Sequence, residues 1–216
     1  DGDGKPELAV ANRGSNTVSV FRNTATSGSI VAGSFAAKVD FITGSFPRSV
    51  ALGDLDGDGK PDLAVANFGS ATVSVFRNTA TSGNVGSGSF AAKVDFTTGS
   101  NPTSAALGDL DGDGKSDLAV ANYGSATISV FRNTATSGSI VPGSFATKVD
   151  FATGTTPWSV ALGDLDGDGK LDLAVANETS NTVSVIRNTA SSGSIVLGSF
   201  AAKVDFTTGT QPRSVA

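Results

Sequence analysis

Asp54-Leu55-Asp56-Gly57-Asp58-Gly59-Lys60-Pro61-Asp62 is repeated at 109–117 and 164–172, with Ser116 and Leu171 in place of the proline. The interval is 55 residues each time, and a shortened copy, Asp1-Gly2-Asp3-Gly4-Lys5-Pro6-Glu7, opens the chain. A fixed period of this length is the mark of one supersecondary unit used repeatedly, so the fold follows from the content of the unit. In the second copy the acidic loop lies between Ser49-Val-Ala-Leu-Gly53 and Asp62-Leu-Ala-Val-Ala-Asn67. Thr72-Val-Ser-Val-Phe-Arg77, a Ser/Gly-rich connection and Ala91-Ala-Lys-Val-Asp-Phe96 follow.

Each segment is short, alternates in polarity and is rich in Val, Thr or Phe. Gly, Asn, Ser and Pro separate the segments, which predicts strands and turns. No segment carries a helical period. The expected fold is all-β: a β-propeller of four consecutive four-stranded antiparallel blades in one domain spanning 1–216. The units run approximately 1–48, 49–103, 104–158 and 159–216. A closed four-bladed ring would need Arg213–Ala216 as the inner strand of the first blade; otherwise the blades are part of a larger ring, or two copies associate. The chain opens inside a motif, so a processed or partial chain is expected.

On the inner strand, Ala51 and Gly53 form a small face, with Val50 and Leu52 opposite. Eleven phenylalanines fall on three repeat positions and are expected in the core: Phe21, Phe76 and Phe131; Phe35, Phe90, Phe145 and Phe200; Phe41, Phe96, Phe151 and Phe206.

The acidic loop predicts a metal site. Asp54, Asp56, Asp58 and Asp62 occupy positions 1, 3, 5 and 9, while Gly57 and Gly59 permit the positive dihedral angles that wrap the backbone round an ion. Lys60 at position 7 offers its carbonyl, with its ammonium expected in solvent. Asp109, Asp111, Asp113, Lys115 and Asp117 repeat the pattern, as do Asp164, Asp166, Asp168, Lys170 and Asp172. Asp1, Asp3, Lys5 and Glu7 make a partial fourth site lacking the first aspartate. An EF-hand needs helices and a bidentate Glu at position twelve, where this chain has Val65, Val120 and Val175. Ligands that are all oxygen, on a flexible loop, favour Ca2+ over zinc, copper or magnesium. Without a cation the clustered carboxylates would repel one another by about 1 kcal/mol per pair even in water.

The net charge of −5 has the same origin. Fifteen of the twenty acids lie in the four loops, and three bound divalent ions would bring the chain to +1. The basic residues form no run, which argues against nucleic acid, and no apolar stretch reaches the length of a membrane span. Arg22, Arg77, Arg132 and Arg187, with Lys38/Asp40 and their equivalents, are expected as solvated pairs on outer strands.

The run from Ser49 to Asn67 resembles the FG-GAP/VCBS repeat of integrin-type β-propellers, and the resemblance extends over the whole chain. It implies that the acidic loop joins the first and second strands of each blade and binds calcium on one face of the disc. It also implies extracellular or cell-surface location and adhesion or lectin-like roles.

With the acidic loops on the bottom face, the turns after the second and fourth strands emerge on top. One such turn carries Arg13, Phe68, Tyr123 and Glu178 at its variable position. The other reads Phe46-Pro-Arg48, Asn101-Pro-Thr103, Thr156-Pro-Trp158 and Gln211-Pro-Arg213. Every aromatic outside the eleven phenylalanines falls here, on units that are otherwise nearly identical. Arg13, Phe46, Arg48, Phe68, Tyr123, Trp158 and Arg213 are therefore the candidate ligand-binding residues. Aromatic faces stack on sugars or anchor a protein, and Arg48 or Arg213 pairs with carboxylates. The expected function is binding of a glycan or protein ligand; the alternative is a structural spacer or self-assembling filament. Histidine and cysteine are absent and tyrosine occurs once, so no catalytic site is expected.

Overall fold

The computed structural model describes residues 2–216, which form fifteen strands and no helix. β1 (Leu8–Asn12), β2 (Thr17–Phe21) and β3 (Val39–Ile42) make a three-stranded sheet. Three four-stranded sheets follow in chain order. They are β4 (Pro47–Gly53) to β7 (Val94–Thr97), β8 (Pro102–Gly108) to β11 (Val149–Ala152), and β12 (Pro157–Gly163) to β15 (Val204–Thr207). Their middle strands are β5 (Asp62–Asn67), β6 (Thr72–Phe76), β9 (Asp117–Asn122), β10 (Thr127–Phe131), β13 (Asp172–Asn177) and β14 (Thr182–Ile186). All pairings are antiparallel between sequence neighbours, which is the propeller blade.

The strands differ from expectation at their ends for identifiable reasons. The fourth strand begins at Val94 instead of Ala91, because Phe90 bridges back to Asn78 and holds the preceding segment against the third strand. The inner strand begins at Pro47, with a register shift between Pro47 and Ser49; the same shift falls at Pro102/Ser104 and Pro157/Ser159. Arg48, Thr103 and Trp158 thus each occupy a bulge, a device that bends a strand and re-aims one side chain.

Cores form between neighbouring sheets. One joins Val73, Val75 and Phe96 to Leu118, Val120 and Phe145, and another joins Ile128, Val130 and Phe151 to Leu173, Ile186 and Phe200. At each junction the fourth-strand phenylalanine meets the next sheet edge-on: Phe41–Phe90 at 5.0 Å, Phe96–Phe145 at 5.0 Å and Phe151–Phe200 at 4.8 Å. Such pairs add to the burial energy of the rings. Phe206 departs from expectation: it is 53% exposed, because no following sheet supplies its ring partner. Inner strands approach closely, and a Cβ at Gly53 would lie 2.9 Å from Leu107 Cδ1. Val215 donates to Ser159 Oγ at 3.5 Å, repeating Ala105 to Ser49 at 3.3 Å and Val160 to Ser104 at 3.4 Å. Residues 213–216 therefore follow the path of a next inner strand beside β12, and they pair with no strand of the first sheet.

A repeated asparagine ties the sheets together at the bottom. Asn133, 1% exposed, donates to Leu55 O of the preceding sheet and to Ser116 O of its own, both at 2.8 Å. Its Oδ1 accepts from Ala135 N at 2.8 Å, and Asn188 repeats the pattern on Leu110 O and Leu171 O. Asn133→Ala leaves two carbonyls and an amide buried without partners, and each such group costs about 1–3 kcal/mol. The expected loss is about 3 kcal/mol or more by denaturant melting, against under about 0.5 kcal/mol for a surface control such as Ser27→Ala.

Candidate functional site

Two sets of residues occupy opposite ends of the sheets. At the bottom, each acidic loop is wound by its own backbone. Asp54 accepts from Gly57 N at 2.7 Å and Gly59 N at 2.8 Å, Asp56 from Asp58 N at 3.2 Å, and Asp58 from Lys60 N at 2.9 Å. Gly57 and Gly59 take φ of 71° and 83°, the left-handed turn that the sequence required. Carboxylate oxygens converge within 4.8 Å of one another in three triplets: Asp54, Asp56, Asp58; Asp109, Asp111, Asp117; Asp164, Asp166, Asp172. Asp113 and Asp168 sit beside the second and third triplets in the same loops, each accepting from the following lysine amide at 3.0 Å.

The position-nine aspartates also organise the fold. Asp62 accepts from Leu55 N at 2.9 Å and Asn78 N at 2.7 Å; Asp117 and Asp172 do the same with Leu110 and Asn133, and with Leu165 and Asn188. Burial pushes Asp62 up to about 6 and Asp117 up to about 7, overriding the two amide bonds that favour the charged form.

The residues fit a hard cation. The donors are all oxygen, and Asp56, 3% exposed, has an Oδ2 that is buried without a hydrogen-bond partner. The nearest positive group is Arg77 Nη1 at 4.0 Å. Burial, then the neighbouring Asp58, raises the Asp56 pKa, so the bare loop disfavours its own charge.

Several bottom-face expectations change. Arg77, Arg132 and Arg187 are not merely solvated pairs: each reaches the third position of its own sheet's loop. Arg132 Nε lies 2.8 Å from Asp111 Oδ2, and Arg187 Nη1 lies 3.9 Å from Asp166 Oδ2. The reason is local, since the third strand ends beside the loop that precedes the second. Arg22 instead donates to Gly83 O at 2.8 Å, while Lys38–Asp40 and its three equivalents do pair on the outer strands. Lys5, Lys115 and Lys170 are exposed, as expected, yet each ammonium is tied down, donating to Ala25 O, Ala135 O and Ala190 O at 2.9 Å. The Ser/Gly-rich connection has a docking role, with Gly138 N donating to Asp56 O at 3.0 Å and Gly193 N to Asp111 O at 3.1 Å. Under that cover Leu55 and Leu110 are 2% and 1% exposed; Leu165, without it, is 56% exposed. Asp1 lies outside the described residues, and Asp3 and Glu7 join no converging carboxylate group among those described.

At the top, all seven candidate ligand residues come together. Arg13 lies over the Phe46 ring at 5.0 Å. Arg48 stacks on Phe68 at 4.4 Å and on Trp158 at 4.8 Å, and Arg213 stacks on Trp158 at 4.6 Å. Tyr123 stands between Phe68 at 6.1 Å and Trp158 at 5.7 Å. Sequence reasoning left out Glu178, which is 7% exposed and accepts from Arg213 Nε at 2.8 Å and Nη2 at 2.5 Å. Its signal was present, as the lone acid outside both repeated acidic positions. The bulges explain the convergence, because Arg48 and Trp158 are bulged residues on inner strands two sheets apart. Thr103, bulged between them, turns inward and donates to Pro157 O at 3.0 Å.

Models of the FG-GAP-like repeat match residues 1–65, 54–120 and 109–175, and the FG-GAP repeat model matches residues 156–197. No curated protein matches the chain. Among solved structures, the chain is similar to BBS1N in the crystal structure of its complex with ARL6DN, soaked with lead, at 18% identity and a TM-score of 0.56. The match covers 98% of this chain and 52% of that one, so this chain spans about half its length. That likeness concerns the fold, whereas the repeat matches run through every sheet: the chain belongs to the FG-GAP repeat family.

Proposed function

We propose that this chain is a calcium-binding β-propeller module of a secreted or cell-surface protein, binding a glycan or protein ligand through its top face. Calcium would be held by Asp54, Asp56, Asp58 and Asp62, with the Lys60 carbonyl, and by the equivalent groups at 109–117 and 164–172. The ion would neutralise carboxylates and staple the first two strands of each blade. The observation that carries the metal reading is the buried Asp56 oxygen that no donor meets. The ligand reading rests on the seven variable residues forming one continuous surface in a chain whose units otherwise repeat. Nothing in the set resembles a nucleophile paired with a base, so binding without catalysis is the proposal.

A glycan array and a partner pull-down test it. The double variant Trp158→Ala/Tyr123→Ala is expected to lose captured ligand while keeping a cooperative melting transition, lowered by a few degrees for the ring contacts it removes. The alternative, a spacer or filament, predicts concentration-dependent assembly with no ligand. The similar BBS1N structure is a complex with ARL6DN, which makes a protein ligand the second arm of the test.

A further inference from the structure

The top-face rings are already occupied. Trp158 carries two guanidinium groups, Phe68 carries Arg48 with Tyr123 at its side, and Phe46 carries Arg13. A neutral sugar that binds by stacking would have to displace a cation–π contact worth about 0.5–2 kcal/mol. What this face presents instead is the hydrogen-bonding edge of the guanidinium groups. A guanidinium held over a ring face does not spend its N–H donors on the ring, which leaves them for bidentate oxygen acceptors. Arg213 gives that edge to Glu178. Arg48 has no such partner: its Nε is buried without an acceptor, and neither it nor Arg13 forms an ion pair among the described residues. Three arginines against one glutamate leave about two uncompensated positive charges here, on a chain whose net charge is −5.

We propose that the top face binds a carboxylate-bearing saccharide, a chain of uronic acid residues, with one carboxylate on Arg48 and a second near Arg13. This deepens, and rests on, the top-face binding reading above. A saccharide fits better than an acidic peptide because the neighbouring turns on this face are bonded to one another. Phe68 N, Tyr123 N and Glu178 N donate to Phe46 O, Asn101 O and Thr156 O at 3.0–3.1 Å. They offer no strand edge for a peptide to extend, so recognition falls to side chains. A chain of rigid rings also loses less conformational entropy on binding than a disordered peptide.

The test is calorimetric titration with a galacturonic acid hexamer, at a calcium concentration that saturates the melting temperature. Wild type is expected to bind the hexamer and not its methyl-esterified form. Arg48→Gln should weaken binding roughly 10–100-fold. Arg48→Lys, which keeps the charge and loses the fork, should fall between the two, while Lys93→Gln, just before an outer strand, should bind as wild type. Melting curves check that each variant is folded. Equal binding of the esterified hexamer, undiminished binding by Arg48→Gln, or equal binding of a glutamate hexapeptide would each overturn the assignment. A neutral glycan or a protein captured by wild type and lost in Trp158→Ala/Tyr123→Ala, with no response to the hexamer, would overturn the uronate assignment and leave the top-face reading standing. Loss of both signals would end both.

Discussion

Adding calcium to chelator-treated protein should raise the melting temperature by roughly 15–30 °C. Ligand that binds only the folded state stabilises it by about 2.7 kcal/mol per site at a hundredfold excess over Kd, hence about 8 kcal/mol for three sites. A chain of this size gains roughly 2–4 °C per kcal/mol. Binding to the folded state alone is expected because the triplets are assembled by tertiary contacts: Asp117 is placed by Leu110 N and by Asn133 N, sixteen residues away in sequence. Magnesium, which prefers a tighter octahedral shell, should give a smaller rise. Asp56→Asn should remove about a third of the shift. The loops should also differ: at 109–117, Arg132 already lies 2.8 Å from Asp111 Oδ2, so calcium displaces an existing counter-charge there and gains least. Superimposable melting curves in calcium and in chelator would sink the metal reading, whatever the top face binds.

The parts of this molecule that depend on residue type and spacing are legible in the sequence. Alternation in segments such as Asp62–Asn67 specified strands, the 55-residue interval specified blades, and the Asp-x-Asp-x-Asp loop specified where carboxylates gather. Features that depend on what faces what across a junction are not. Asn133 and Asn188 simply follow a strand and an arginine in the sequence, yet each is a buried clamp, because the docked preceding sheet supplies one of the two carbonyls it holds. Arg132 follows an alternating strand, a position that by itself predicts a solvated side chain, and only the hairpin brings Asp111 to its guanidinium. The exposure of Phe206 has the same origin, since its position alone matches that of three buried rings. On the top face, sequence comparison of the four units identified every member of the cluster except Glu178. It could not reveal that the arginines lie on the aromatic rings, because the bulge that turns Arg48 toward Trp158 leaves no mark beyond a proline.

The second large effect is a reversal in the pH dependence of stability. In chelator, Asp62 and Asp117 have folded-state values of about 6 and about 7, raised from 3.8 by burial. Between pH 3.8 and 7 the folded chain therefore holds protons that the unfolded chain has released, and stability must fall as pH rises through that window. Asp117 alone contributes on the order of 4 kcal/mol to the fall. Calcium binds the deprotonated carboxylates, so protons compete with it, and in excess calcium stability should rise with pH over the same range. Denaturant melts at several pH values, with and without calcium, measure both slopes. Asp117→Asn should flatten the slope in chelator, although it lowers stability throughout: the carboxamide can accept from only one of Leu110 N and Asn133 N and turns its own donors toward the other. Two slopes of the same sign would mean that the buried aspartates act only as backbone caps. Opposite slopes would tie the proton and the cation to the same oxygens, which is the relation that makes a buried carboxylate, unfavourable on its own, stabilising once an ion is bound.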